Sequence, residues 1–430
     1  NMALSLGKCC ISHRVGGGKT AISAAVNHML KVTGRAKKPM QIVPGKIIKK
    51  FVRDIKKGSR GLAPIFPNMK ILDVTEYEFN EALAMIAYNE WDLILIPDTW
   101  FKRIALTPQR EMEYIDKQIT DLKISESYRA KDRGTNRQRK EFEKRLLAFE
   151  ARLAELRNYV RRDGLYFEDL GVDAISLDEA QSVKNLVASV KGSELGLSAT
   201  PSQVAMDFNM KTQYIMEINN GNNVFLYTAT PVSNSILEIY GLFLNIAPYE
   251  WQSRYIYTAD DFIDFFADTS VTYGITKENE VGVVRKVDGF INLDDLRALF
   301  RKYVDYRVSI ENMELPELEE TRVTVDMTME QRLFFNSLLK RLENIPADKS
   351  IDNVLKILIE GRQASISGSL FSGQNPTREN SPKIAKCIEL ATKIYKEVGG
   401  NQLIFLDQYG KSILGSDDLH TFIKKELVKE

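Results

Sequence analysis

The sequence predicts an α/β fold built on a parallel sheet, and two observations carry that expectation. First, short apolar runs alternate with amphipathic, helix-patterned stretches through much of the 430-residue chain. A parallel sheet with helices on both faces requires that order. Second, the two segments richest in chemistry, His13–Thr20 and Asp178–Gln181, each follow an apolar run directly. Ligands of such sheets sit at the carboxyl ends of the strands. The expected strands are Lys8–Ser12, Met40–Val43, Lys70–Val74, Leu93–Ile96, Ala174–Leu177, Val224–Tyr227 and Gln402–Leu406.

The first run opens onto His13-Arg14-Val15-Gly16-Gly17-Gly18-Lys19-Thr20 and then a helical stretch, Ala21 to Leu30. Strand, glycine-rich turn, Lys-Thr and helix form a phosphate cradle. The glycines let backbone N–H groups turn onto phosphate oxygens, and the helix N-terminus adds its positive end. Val15, Gly16, Gly17, Gly18, Lys19 and Thr20 are the expected nucleotide-binding residues. Lys19 reaches the β- and γ-phosphates, and the Thr20 hydroxyl holds Mg²⁺. The strict pattern has glycine where this chain has His13. After the second run, Lys46, Lys49, Lys50 and Arg53 alternate with Ile47, Ile48, Phe51 and Val52. The apolar set faces the sheet, and the basic set is placed to meet nucleic-acid phosphates.

From Pro108 to about Arg162 the sequence is highly charged with an apolar 3-4 repeat. One stripe is Met112, Ile115, Ile119 and Leu122; the other is Phe142, Leu146, Phe149, Leu153, Leu156 and Val160. This predicts an antiparallel helical hairpin projecting from the domain. Its basic middle, including Arg129, Lys131, Arg133, Lys144 and Arg145, fits either a solvated tip or a DNA or partner contact. Next come Ala174–Leu177 and Asp178-Glu179-Ala180-Gln181. Beside a phosphate loop, Asp178 holds the metal and Glu179 polarises the attacking water as general base; Gln181, which closes the box, can both donate and accept hydrogen bonds. Residues 249–380 read as mainly helical, broken by extended stretches at Val281–Val287 and Thr321–Asp326. Ser372–Pro382 reads as a linker. A helix at Ile384–Lys396 and the strand Gln402–Leu406 then begin a second sheet domain.

Bulk properties narrow the field. A formal net charge of +1 confines any nucleic-acid surface to local patches. The three cysteines, Cys9, Cys10 and Cys387, have no ligand-like spacing and suggest neither a disulfide framework nor a zinc site. No apolar run reaches the length that spans a membrane. The chain begins at Asn1 within folded-type sequence and closes soon after a new strand, which reads as part of a longer polypeptide.

With Leu226-Tyr227-Thr228-Ala229-Thr230-Pro231-Val232-Ser233-Asn234 added, the chain resembles the superfamily-two helicases, closest to the Swi/Snf-type DNA translocases. The Glu168–Ala174 segment ahead of the acidic box is similar to phage and mobile-element helicases of the defence-against-restriction type. The resemblance implies a RecA-like first domain over residues 1–248 with the hairpin inserted at 108–163. It also implies a helical region at 249–380 and the start of a second RecA-like domain at 381–430. It implies ATP and Mg²⁺ as cofactors and Thr228 and Thr230 as residues coupling nucleotide to nucleic acid. Ser198 and Thr200, in Ser198-Ala199-Thr200-Pro201, form a competing copy of that motif. Where the branch has a final histidine in the acidic box, this chain has Gln181. The family's late motifs, including its arginine finger, have no counterpart before Glu430. Three functions stay open on this reading: a double-stranded DNA translocase, a virion structural or cargo protein with weak or no ATPase, and an RNA helicase. Partners are then duplex DNA and other phage or virion proteins, without a membrane, in the host cytoplasm or packaged in a virion.

Overall fold

The computed structural model describes residues 2–56, 66–129, 136–157, 164–186, 202–233, 235–275, 281–307, 319–346, 352–406 and 418–429. It forms two compact units, residues 1–313 and 314–430. The first unit holds a seven-stranded sheet. Its strands are β1 (Lys8–His13), β2 (Pro39–Val43), β3 (Met69–Ile71), β4 (Leu93–Pro97), β5 (Ala174–Asp178), β6 (Val224–Thr228) and, after the hairpin β7 (Ala267–Ile275) and β8 (Val281–Phe290), β9 (Val304–Arg307). The order is β3-β4-β2-β5-β6-β1-β9, and every pair is parallel.

The main helices of this unit are α1 (Lys19–Val32), α2 (Ile48–Lys56), α3 (Phe79–Tyr88), α4 (Pro108–Arg129), α5 (Asn136–Arg157), α6 (Gln203–Ile218), α7 (Leu237–Ile246), α8 (Ala259–Phe266) and α9 (Leu293–Tyr303). Successive strand residues point to opposite faces, so each central strand feeds two cores. Cys9, Ile11, Phe225 and Tyr227 pack with Val26 and Leu30 of α1. Cys10, Val224, Leu226 and Ile175 pack with Phe208, Ile215 and Phe243 on the other face. Burial on both faces explains why these strands read as unbroken apolar runs. It also pushes the Cys9 thiol up to about 12, so this cysteine is packing material and not a nucleophile.

The first six expected strands are present, but other expectations need correction. Residues 249–307, expected to be mainly helical with an extended stretch at Val281–Val287, hold that stretch as β8, but they also supply its partner β7 and the edge strand β9, and the first unit runs past residue 248 to residue 313. β9 was not legible because Val-Asp-Tyr-Arg is short and buries only Val304. Thr321–Asp326 is not a strand and is largely exposed. The helical hairpin forms, with Ile115, Ile119, Leu153 and Leu156 at its seam. It does not project freely, however. Ser125 donates to Asp261 at 2.8 Å, Arg145 pairs with Asp260 at 3.3 Å, and Tyr114 donates to Asn209 at 2.9 Å, so polar contacts lay it back on α6 and α8. Lys131 and Arg133 of its basic middle lie outside the described residues.

The second unit is helical among its described residues: α10 (Met329–Glu343), α11 (Val354–Ile366), α12 (Pro382–Glu397) and α13 (Leu419–Lys429). Arg341 joins α10 to Asp352 at 2.8 Å. Ile384, Ile388, Leu419, Phe422 and Ile423 form a small core. The expected linker is mostly exposed but is anchored at two points: buried Ser381 hydrogen-bonds Ser367 at 2.6 Å, and Arg378 pairs with Glu426 at 2.6 Å. Gln402–Leu406 is not a strand. With no neighbouring strand among the described residues to complete its backbone hydrogen bonds, it leaves Leu403 and Phe405 exposed.

Candidate functional site

Three adjacent strands end together. β6 lies between β1 and β5, with Ser12 opposite Thr228 and Asp178 opposite Tyr227. The loop after β1, the acidic box at the end of β5 and the Thr228–Thr230 turn after β6 therefore share one edge. The loop turns through Gly16 at φ 85° and Gly18 at φ 74°, where a side chain would be strained. Gly18 precedes α1, so the first amides of a 14-residue helix face the cleft. A buried polar trio helps seat that helix on the sheet. Asn27 donates to Gln41 at 2.9 Å and accepts from Ser176 at 3.0 Å, linking α1 to β2 and β5.

The resulting cleft encloses about 790 Å³ and is lined by Val15, Gly16, Gly18, Lys19, Thr20, Asp178 and Glu179, with Lys50 and Asp54 of α2. The Lys19 ammonium donates to the His13 carbonyl at 3.1 Å. Asp178 is buried, and its carboxyl is pushed up to about 6 by that burial and by Glu179. The Glu179 amide, donating at 3.1 Å, and Lys19 oppose the rise. Glu179 itself has left-handed backbone, φ 54° and ψ 50°. A non-glycine residue held there is strained, a feature that clusters at functional sites.

A continuous chain of hydrogen bonds leaves this pair. Gln181 Nε2 donates to Glu179 Oε2 at 2.7 Å. Thr228 Oγ1 donates to Gln181 Oε1 at 2.8 Å, and the Thr230 amide donates to Thr228 Oγ1 at 3.1 Å. The amide of Gln181 thus bridges the acidic box and the β6 turn. Ser198 and Thr200 lie outside the described residues. Lys46, Lys49 and Arg53 are exposed, while Ile48 and Phe51 are buried against Val43 and Leu95. Lys50 is exposed too, but it lines the cleft beside Lys19 and Asp178.

Sequence reasoning missed two supports. Lys184 pairs with buried Glu238 at 3.1 Å, and Glu238 also accepts the Ser233 amide at 2.6 Å, tying the acidic-box turn to α7. The turn and helix approach closely because residue 241 is glycine; a Cβ there would lie 2.7 Å from the Lys184 carbonyl. The second support is β9. His13 Nε2 lies 3.0 Å from Asp305 Oδ2. Burial raises the Asp305 carboxyl, but hydrogen bonds from His13 and Arg307 outweigh it and hold the group below the usual carboxylate range.

The family described as "Probable helicase domain" matches residues 1–308. The chain belongs to this family of helicase domains. Over 185 residues it is 32% identical to Defense against restriction protein B of Escherichia phage P1, a match covering 41% of this chain and 8% of that protein. The helicase domain thus spans a small part of that relative's length. Two solved structures are also similar. The Sulfolobus solfataricus SWI2/SNF2 ATPase core in complex with dsDNA is 15% identical, with a TM-score of 0.37 over 92% of this chain and 62% of that one. The SWI2/SNF2 ATPase core domain from the same organism is 14% identical, with a TM-score of 0.34 over 92% and 60%.

The donors present fit a magnesium nucleotide. Loop residues with their amides, an ammonium, a hydroxyl and the carboxylates of Asp178, Glu179 and Asp54 line a single cleft. Among the described residues, no group of three or more His, Cys, Asp or Glu could hold a metal by itself. A hard cation held here would need further oxygens from phosphate and water.

Proposed function

We propose that this helicase domain is the nucleotide-binding lobe of an ATP-driven superfamily-two motor of phage or mobile-element origin that moves along double-stranded DNA. The observation that carries the reading is the meeting of Lys19-Thr20, Asp178-Glu179 and the Gln181–Thr228 bridge at three adjacent strand ends. A bound magnesium nucleotide supplies the phosphoryl group whose transfer to water drives the cycle. Loop amides from Gly16 to Thr20 and the Lys19 ammonium hold and neutralise the phosphates. The Thr20 hydroxyl and Asp178 hold the cation. Glu179 orients the attacking water and takes its proton. Gln181 and Thr228 carry the state of Glu179 to the β6 turn, and Thr230 passes it toward DNA. Lys46, Lys49 and Arg53 hold one strand through its phosphates; Lys50 stands between this row and the nucleotide.

The test is steady-state ATP hydrolysis with duplex DNA, single-stranded DNA, RNA or no nucleic acid, on the longest polypeptide containing this chain. Stimulation by duplex DNA, lost in Glu179→Gln, supports the motor. Stimulation by RNA alone makes it an RNA helicase. No hydrolysis with any of them, together with stable incorporation into particles, makes it a virion component.

A further inference from the structure

The edge strand β9 supports the phosphate loop where the centre of the sheet stops. On the β6 side, the pairing of β1 ends at Ser12 opposite Thr228. On the β9 side it runs one residue further, to His13 opposite Arg307, and the Arg14 amide still donates to the Arg307 carbonyl at 3.2 Å. His13 is buried, 3.0 Å from one Asp305 oxygen. The other oxygen accepts from Arg307 Nε at 3.2 Å, so both are engaged. The peptide held this way is the one the loop rests on. The His13 carbonyl accepts from Lys19 Nζ at 3.1 Å, and the Arg14 carbonyl accepts the Gly17 amide at 2.9 Å.

We propose that Asp305 is a positioning residue for the phosphate loop, acting through His13 to fix the peptide on which Lys19 and the glycine turn rest. The proposal deepens the nucleotide-site reading above and depends on it. Glycine, the residue of the strict loop pattern at this position, has no side chain to make the link. The imidazole ties the mouth of the loop to a strand nearly 300 residues later in the chain. A loop ordered in advance loses less conformational freedom when phosphate arrives, and that appears as affinity. Asp305 touches no reacting atom in this scheme.

The test is fluorescent Mg·ATP binding and thermal melting of the whole chain and of Asp305→Ala, His13→Ala, their double variant, Asp305→Asn and Lys19→Ala. Asp305→Ala and His13→Ala are each expected to weaken nucleotide binding about tenfold. The double variant is expected to be no weaker than either single one, because both remove the same link. Asp305→Asn keeps an acceptor for the imidazole N–H and is expected to stay within about threefold of the parent. Parent-like binding by Asp305→Ala alongside lost binding by Lys19→Ala overturns the positioning role and leaves the nucleotide site standing. Additive losses in the double variant, or an Asp305→Asn as weak as Asp305→Ala, also overturn it. Normal binding by Lys19→Ala overturns the nucleotide site itself. Should Asp305→Ala not fold, His13→Ala and Asp305→Asn decide the question by the same criteria.

Discussion

Strands β1, β5 and β6 lie in the middle of the sheet with every residue buried, whereas β9 at the edge buries only Val304 of its four residues. Both reach the phosphate loop. The central strands do so by shape: apolar burial on two faces fixes where their ends stop, and the proposed nucleotide-site residues stand on those ends. β9 does so by polar chemistry, through a carboxylate, an imidazole and a backbone carbonyl. Burial decides where a strand end lies, and polar bonds decide how the peptide beyond it is turned.

That contrast can be broken first at the centre. Glu179→Gln keeps the shape of the side chain and removes the proposed general base. Hydrolysis should fall by about a hundredfold to ten-thousandfold, while nucleotide affinity stays within about twofold of the parent. An equal loss of affinity would place Glu179 in binding and not in chemistry.

Asp178→Asn comes next. It should weaken magnesium-dependent nucleotide binding by about tenfold or more, and it should also stabilise the chain. The native carboxyl titrates near 6 because burial disfavours its charge. Its ionised form therefore opposes folding above that pH, and stability rises as pH falls from about 6 toward the ordinary carboxylate range. Removing the charge should add on the order of 2 kcal/mol at neutral pH, read as a melting temperature about 3 °C higher. In the parent, metal-dependent nucleotide affinity should weaken as the pH drops below 6. A lower melting temperature in Asp178→Asn would mean the carboxylate is structural.

Thr228→Val sharpens the comparison with a smaller effect. It removes the donor to Gln181 and the acceptor of the Thr230 amide without changing the size of the side chain. Stimulation of hydrolysis by duplex DNA should drop about tenfold, with the basal rate held within about threefold. A basal rate that falls as far as the stimulated one would show that the bridge serves chemistry and not coupling.

The same physical division decides what the sequence revealed. Ala174–Leu177 and Val224–Tyr227 announced themselves because both faces of a central strand must be apolar. The loop at Gly16–Thr20 and the pair Asp178-Glu179 were legible because each directly follows an apolar strand and the two come in the order a phosphate loop and its acidic partner require. Val304–Arg307 was hidden, since an edge strand needs one buried residue and its other side chains may as well be charged. The Asp305–His13 link joins residues far apart in the chain, and no local pattern signals it. Gln402–Leu406 misled because a continuous apolar run forms a strand only where another strand pairs with it, and none does so among the described residues. Ser372–Pro382 was legible as a polar, turn-rich and mostly exposed segment, but its anchor was not: Ser381 is buried, bonded to Asn380 and to Ser367, fourteen residues away.

Equilibrium binding of fluorescent Mg·ATP to the parent chain and to Lys19→Ala, in matched buffer with and without magnesium, decides whether the cleft holds a nucleotide. Saturable, magnesium-dependent binding by the parent and a loss of roughly a hundredfold in the variant are expected. Equal binding by the two proteins, or parent binding that ignores magnesium, would contradict a nucleotide site at the ends of β1 and β5.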